Sequence, residues 1–71
     1  MNLFKSASAK ITSREKEISI LLSQGLASKQ IGQKLFISKH TVDTHRRNLL
    51  KKTKTKNTLE MTAVCIRNGL I

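Results

Sequence analysis

Signals for the start of a helix recur along this chain. Thr12 and Glu15 match the S/T-x-x-E capping box, in which each side chain accepts a hydrogen bond from the free backbone N–H group of the other residue. Ser38 precedes a second helical stretch, and Asn57 with Glu60 forms a further cap pair. Helices between such closely spaced signals are short. Since two Phe and no Trp, Tyr or Pro are poor material for a sandwich or barrel, we predict an all-α fold.

Apolar residues at helical spacing place four helices around these signals. We predict helices over residues 13–24, 28–35 and 39–53, and a fourth that starts at Asn57 and ends at Gly69. Gly25 supplies the left-handed residue that closes the first helix, and Gly32 lies where a crossing helix could approach closely. Phe36 and Ile37 make a tight apolar turn. Two helices joined by about three residues have the spacing of a helix-turn-helix motif.

The chain is long enough for one small domain. A chain of 71 residues buries little core, so an independent enzyme is not expected. Residues 1–11 show no helical period and are interpreted as a flexible arm or linker remnant, and residues 12–71 as the domain. The start is too short and too polar for a signal peptide, and no apolar run approaches the ~20 residues of a membrane span. The single cysteine, Cys65, cannot form an internal disulfide, which fits the cytosol.

The predicted third helix, residues 39–53, separates into two faces when its residues are placed at steps of about 100°. One face carries Val42, His45, Leu49 and Thr53. A polar and mostly basic arc, here called the reading arc, carries His40, Asp43, Thr44, Arg47, Lys51 and Lys54. The apolar face can pack on the other helices while the reading arc faces outward.

Positive charge is concentrated around this helix. Between Ser38 and Lys56 there are seven basic residues and one acid, which places +6 of the total charge of +10 in that segment. Such a concentration is typical of a protein that binds a polyanion, because each neutralised phosphate releases condensed counterions. The alternative is a solvated helix face that keeps the protein in solution.

The fourth helix has two apolar faces. One carries Leu59, Ala63, Ile66 and Leu70, and the other carries Met61, Val64 and Cys65. A four-helix domain can cover only one of them internally, so the other needs a partner. We predict a two-fold dimer through the Leu59 face, with the Met61 face as the alternative.

Other chemistry is not supported. His40 and His45 are about 140° apart around a helix, so they cannot chelate one metal ion together. Cys65 is interpreted as a small buried hydrophobic residue rather than a nucleophile, and the three glycines lack the spacing of a phosphate loop. We therefore predict no catalysis, no metal and no cofactor.

The string from Ile11 to Lys52 closely resembles the LuxR/GerE-type helix-turn-helix domain of bacterial transcription factors. Its most specific parts are T-x-R-E at residues 12–15, Gly25, Lys29, Ile31, Leu35, and I-S-x-x-T-V-x-x-H at residues 37–45. The resemblance covers residues 11–71. It implies a four-helix domain whose third helix enters the DNA major groove and whose fourth helix pairs with its mate in a dimer.

The resemblance also implies roles for single residues. The positions that approach bases are Asp43, Thr44 and Arg47. Those that lie near phosphates or support the recognition helix are Lys29, Ser38, Thr41, His45 and Lys51, and we add Arg46 as a phosphate contact. Arg can donate two bonds to guanine O6 and N7, and the methyl group of Thr can contact that of thymine.

Three departures from the family pattern stand out. Asp43 lies where a basic residue is common, which places a carboxylate against the polyanion unless it accepts from cytosine N4. Residues 53–55 are Thr, Lys and Thr in place of a Leu-Gly-Val type junction, which removes apolar volume and a helix-closing glycine. Ala27 replaces the usual Ser cap of the second helix, and Ser28 could act as the cap after a shift of one residue.

These patterns together favour the DNA-binding effector domain of a LuxR-type transcriptional regulator. We expect it to be cut from, or related to, a longer chain with an N-terminal receiver or ligand-sensing domain. The expected partners are double-stranded DNA, a second copy that pairs on DNA and only weakly in solution, and RNA polymerase. The expected location is the nucleoid in the cytoplasm, with no membrane partner. A sigma-factor region-four-like module is an alternative that would not need a fourth helix with a partner. A basic amphipathic protein on anionic membranes is a further alternative, which the internal caps and the turn disfavour.

Overall fold

The computed structural model describes residues 11–69, and within this range the chain forms helices and connecting turns without a strand. The helices are α1 (Ser13–Ser23), α2 (Ser28–Leu35), α3 (Lys39–Thr53) and α4 (Thr58–Arg67). The predicted all-α class and the bounds of α2 and α3 are confirmed. Helix α1 ends one residue earlier than expected, and α4 begins one residue later and ends two residues earlier. The proposed arm lies mostly outside the described residues.

The predicted caps form. In the capping box of α1, Thr12 N donates to Glu15 Oε1 at 2.9 Å and Glu15 N donates to Thr12 Oγ1 at 3.1 Å. Gly25 follows α1 with φ of +88°, the left-handed conformation that glycine adopts without steric cost. At the start of α4, Glu60 N donates to Asn57 Oδ1 at 2.9 Å. Local hydrogen bonds of this kind are readable from sequence because both partners lie within one turn.

The proposed shift of the α2 cap to Ser28 is wrong. Ala27 is the residue before α2 and has no side-chain cap bond, and Ser28 is the first residue inside the helix. Gln30 Oε1 instead accepts a hydrogen bond from Ala27 N at 2.8 Å. The hydroxyl of Ser28 points to α3, where it donates to Asp43.

All four helices contribute to one core. Its buried apolar residues are Ile18, Leu21, Ile31, Val42, Leu49, Met61 and Cys65. Helix α3 packs against α1, α2 and α4, so its apolar face lies at the centre of the domain. Burial of these side chains stabilises the fold by roughly 1.5–3 kcal/mol each.

The turn between α2 and α3 is held by backbone contacts. The backbone N–H groups of Phe36 and Ile37 both donate to the carbonyl oxygen of Gly32. A Cβ added at Gly32 would lie 2.6 Å from the carbonyl oxygen of Ile37, so only glycine fits there. The two apolar residues of the expected turn differ in burial. Ile37 packs on the core, whereas Phe36 has left-handed φ of 59° and is 94% exposed.

The unusual junction between α3 and α4 also closes without glycine. Lys54 adopts left-handed φ of 55°. The Thr53 side chain is buried, and its hydroxyl donates to the Leu49 carbonyl oxygen at 2.8 Å and lies 2.8 Å from the Thr55 hydroxyl. These hydrogen bonds satisfy the polar atom that the substitution of an apolar residue by Thr places in the core.

Candidate nucleic-acid interface

The reading arc lies on the outside of α3. His40, Arg47, Lys51 and Lys54 are exposed and Thr44 is half-buried, while Val42, Leu49 and Thr53 of the opposite face are buried. Because α3 is anchored along its whole length by that buried face, the polar side chains are presented from a rigid helix. The arrangement is suited to contacts with a large ligand that lies along α3.

Two of the predicted base-contacting residues lie side by side on this arc. Arg47 Nη2 donates to Thr44 Oγ1 at 3.2 Å, and Thr44 Oγ1 donates to the His40 carbonyl oxygen at 3.1 Å. The guanidinium group is thus held over the preceding turn while the Arg47 side chain remains exposed. A positioned guanidinium loses less conformational entropy when it binds a planar acceptor pair.

The start of α3 carries a hydroxyl pair. Thr41 N donates to Ser38 Oγ at 3.0 Å, which confirms Ser38 as the cap, and the Ser38 and Thr41 hydroxyl oxygens are 2.9 Å apart. Ser38 is exposed and Thr41 is half-buried, so the pair lies at the surface beside the free N–H groups of the helix terminus. Such termini favour anions.

Asp43 lies on the reading arc and is occupied by contacts within the protein. Oδ1 accepts from Ser28 Oγ at 2.6 Å and from Arg46 Nη2 at 3.4 Å, and Oδ2 accepts from Lys39 Nζ at 2.8 Å. The hydrogen bonds from Lys39 and Ser28 lower the pKa of Asp43 from 3.8 to about 2. Contact between Asp43 and a base stays a prediction. Sequence reasoning missed the link to Ser28, because residues 28 and 43 meet only when α2 crosses α3.

Arg46 lies between α3 and α4. Its Nη1 is 3.4 Å from Thr58 Oγ1 at the start of α4, and its Nε is buried without a hydrogen-bond partner in residues 11–69. The guanidinium is therefore partly committed to the protein, and its predicted contact with phosphate stays a prediction. His45 is half-buried, whereas Lys29 at the start of α2 is exposed.

Lys52 is a basic residue of α3 that lies off the reading arc and contacts α1. Its Nζ donates to Glu15 Oε1 at 2.6 Å and joins α3 to α1. Burial raises the pKa of Glu15, but the hydrogen bonds from Lys52 and Thr12 and the charge of Lys52 outweigh this effect and lower it overall. Part of the positive charge near α3 is thus structural.

The two apolar faces of α4 differ in burial. Met61 and Cys65 are fully buried, whereas Leu59 is 80% and Ile66 58% exposed, with Ala63 also exposed. The Met61 face is thus the core face, and the Leu59 face is uncovered in this chain. Leu70, the fourth residue predicted for the Leu59 face, lies outside the described residues. Burial raises the pKa of the Cys65 thiol, which disfavours the reactive thiolate.

None of the helices in residues 11–69 is long and apolar enough to cross a membrane. The same range holds no group of three His, Cys, Asp or Glu side chains that could bind a metal ion.

A short turn between two crossing helices, with a polar and basic outer face on the second, defines a helix-turn-helix domain. Residues 9–65 match the model of the bacterial regulatory proteins of the luxR family, and the chain belongs to this family of DNA-binding regulators. The resemblance seen in the sequence is thereby confirmed.

The relatives are named as regulators. The chain is 38% identical to the transcriptional regulatory protein LiaR of Bacillus subtilis over 86% of this chain and 29% of that protein. It is 50% identical to the CsgBAC operon transcriptional regulatory protein of Escherichia coli. It is 42% identical to the nitrate/nitrite response regulator protein NarL of the same organism. Both of these matches cover 70% of this chain and 23% of the relative. The chain thus spans less than half of the length of these curated relatives, and no solved structure is matched.

Proposed function

We propose that this chain binds double-stranded DNA sequence-specifically as the effector domain of a transcriptional regulator, with α3 in the major groove. The observation that carries the proposal is the hydrogen-bonded pair of half-buried Thr44 and exposed Arg47, on a helix whose opposite face is buried. A helix fits the major groove, where each base pair presents a distinct pattern of donors and acceptors. In this role, Arg47 donates to guanine and the methyl group of Thr44 contacts thymine.

Phosphate contacts orient the domain on the duplex. We assign these contacts to Lys29, Ser38, Thr41, His45, Arg46 and Lys51. The exposed Lys29 and Lys51 and the hydroxyl pair at the start of α3 support the assignment. The charge of +10 supports it further, because attraction to phosphate accelerates association with DNA of any sequence.

On DNA, two copies pair through the Leu59 face of α4. The exposure of Leu59 and Ile66 supports this assignment. One helix pair covers less area than the ~1,200 Å² of stable complexes, so pairing in solution is weak. Because the named relatives are longer response and transcriptional regulators, we further propose an N-terminal receiver or sensor domain, contact with RNA polymerase, and location on the nucleoid in the cytoplasm.

Duplex selection followed by two alanine variants tests the proposal. The chain is expected to bind a selected duplex more tightly than a random duplex at one salt concentration. Arg47→Ala should cost about 1–3 kcal/mol on the selected duplex and relax the preference at one base pair. Lys51→Ala, the matched change one turn along α3, should weaken binding to both duplexes similarly.

Two results would contradict the proposal. Equal affinity of the native chain for random and selected duplexes would exclude sequence-specific binding. Equal losses on all duplexes from both variants would show that Arg47 binds phosphate and does not read a base.

A further inference from the structure

Three cationic or hydroxyl donors converge on the carboxylate of Asp43. They are Ser28 Oγ at 2.6 Å, Lys39 Nζ at 2.8 Å and Arg46 Nη2 at 3.4 Å. The donors come from two helices, so the cluster depends on the crossing of α2 and α3. A hydroxyl, an ammonium and a guanidinium group are also the donors with which proteins bind phosphate.

The surroundings of the cluster also favour an anion at this site. Ser28 is the first residue of α2, a helix whose preceding residue, Ala27, has no side chain to accept from its free N–H groups. The first turn of α2 holds no acidic residue. Helix termini with free N–H groups favour negative charge.

The cluster is open to solvent. The Asp43 side chain is 18% exposed, Lys39 is more exposed still, and Arg46 is half-buried. A phosphate that approaches α3 from outside could therefore reach the donors if the carboxylate were absent. With its pKa at about 2, Asp43 is ionised at every pH at which DNA binding is ordinarily measured.

We propose that the Asp43 carboxylate fills a phosphate-binding site of this domain as the protein's own anion, and so lowers its affinity for DNA regardless of sequence. The inference rests on the proposed DNA-binding function. A phosphate contact carries no sequence information, so Asp43 lowers the affinity for selected and random duplexes by the same factor and leaves their ratio unchanged. In this role Asp43 sets the overall affinity for DNA and its dependence on salt without touching a base.

If Asp43 served only to link α2 to α3, its substitution would have a different effect. Loss of a structural link lowers stability, whereas a vacated phosphate site increases the number of counterions that DNA binding releases. The number of released counterions is measured as the steepness with which the logarithm of the association constant falls as the logarithm of the salt concentration rises. Each phosphate contact contributes about 0.9 to this slope.

The decisive measurement is this slope for Asp43→Asn on a random duplex. Asn keeps the size of the side chain and removes its charge. The slope should steepen by about 0.9. Affinity for the random and the selected duplex should rise by the same factor, about two- to fivefold, as expected for one exposed ionic contact, and the ratio of the two affinities should stay the same.

Glu17→Gln is the matched control. Glu17 is exposed on α1 and lies 3.8 Å from Arg14, and its change to Gln raises the net charge by the same amount. Its slope should equal that of the native chain. Adding Ser28→Ala to Asp43→Asn should remove part of the gain, because one donor to the phosphate is lost.

A second experiment retains Asp43. It therefore tests the inference even if Asp43→Asn unfolds the domain, as judged by loss of the helical circular dichroism signal. Lys39→Gln in the native chain should leave the slope unchanged, because Asp43 already neutralises Lys39. Lys51→Gln should reduce the slope by about 0.9.

The inference is overturned by an unchanged slope for folded Asp43→Asn, by an equal steepening for Glu17→Gln, or by a loss of about 0.9 for Lys39→Gln. Failure of the native chain to bind duplex DNA at all would instead overturn the proposed function, so the two failures are distinguishable.

Discussion

Glu15 serves two structural purposes with one carboxylate. It caps α1 by accepting from Thr12 N, and it accepts from Lys52 Nζ at 2.6 Å to join α1 to α3. The Glu15 side chain is only 3% exposed, so removal of its charge leaves the Lys52 ammonium group without an anionic partner in a partly buried position. The capping contact is local and was predicted, whereas the contact with Lys52 spans 37 positions in sequence.

Glu15→Gln should therefore lower the free energy of unfolding by about 1–3 kcal/mol at neutral pH. Because folding lowers the pKa of Glu15, its stabilisation is fully present above the ordinary pKa of a glutamate and is lost as the pH falls through the lowered value. Urea unfolding across this acidic range checks both statements. Glu17→Gln on the exposed side of α1 should change stability by less than about 0.5 kcal/mol. A gap between native and Glu15→Gln that stays constant down to acid pH would contradict the argument.

Lys54 carries backbone strain at the end of α3. Its φ of 55° lies in the left-handed region that residues with a Cβ disfavour by about 1–2 kcal/mol. Lys54→Gly should thus raise stability by about 0.5–1 kcal/mol after the entropy of glycine in the unfolded chain is deducted. Lys56→Gly is the control, since Lys56 lies in the same connection without positive φ. Thermal unfolding should show a higher midpoint for the first variant and an equal or lower one for the second.

Among the elements, the α2–turn–α3 unit depends on close backbone approach at Gly32. A methyl group there would lie 2.6 Å from the carbonyl oxygen of Ile37, an atom that cannot rotate away. Gly32→Ala gains helix propensity but should still destabilise the domain by about 1–3 kcal/mol, because the turn must shift to make room. The neighbouring Gln33→Ala, at an exposed position of α2, should have little effect. Chemical denaturation compares the two, and equal stability of both variants would show that the turn adapts freely.

For the whole molecule, the uncovered Leu59 face of α4 predicts cooperative binding to paired half-sites. Ile66 is 58% exposed, so Ile66→Glu should leave the fold intact. The variant should lose cooperativity on a duplex with two half-sites, because two buried carboxylates would face each other across the two-fold axis. Affinity for a single half-site should stay within about threefold of the native value.

Ser13→Glu adds the same charge at an exposed position in the first turn of α1, and it should preserve cooperativity. Band-shift titrations of single and paired half-sites measure both quantities. Retained cooperativity in Ile66→Glu would exclude the Leu59 face as the contact between copies.

Features that depend on neighbours within a turn or two could be read from the chain. The caps at Thr12, Ser38 and Asn57 formed as expected, and so did the bounds of α2 and α3 and the buried face of α3. The reason is that capping and helical periodicity involve residues at most a few positions apart, whose distances are fixed once the helix forms. The class of fold and the outward direction of Arg47 follow from the same local rules.

Contacts between helices depended on how the helices cross. Which face of α4 is buried, the ion pair of Glu15 with Lys52 and the donors around Asp43 all join distant parts of the chain. Both faces of α4 are apolar, so periodicity alone cannot rank them, and only the fit of Met61 and Cys65 against the other helices does so. Likewise, a carboxylate on the reading arc is compatible with solvent, a base or an internal partner, and only the position of Ser28 at the start of α2 shows that an internal partner is present.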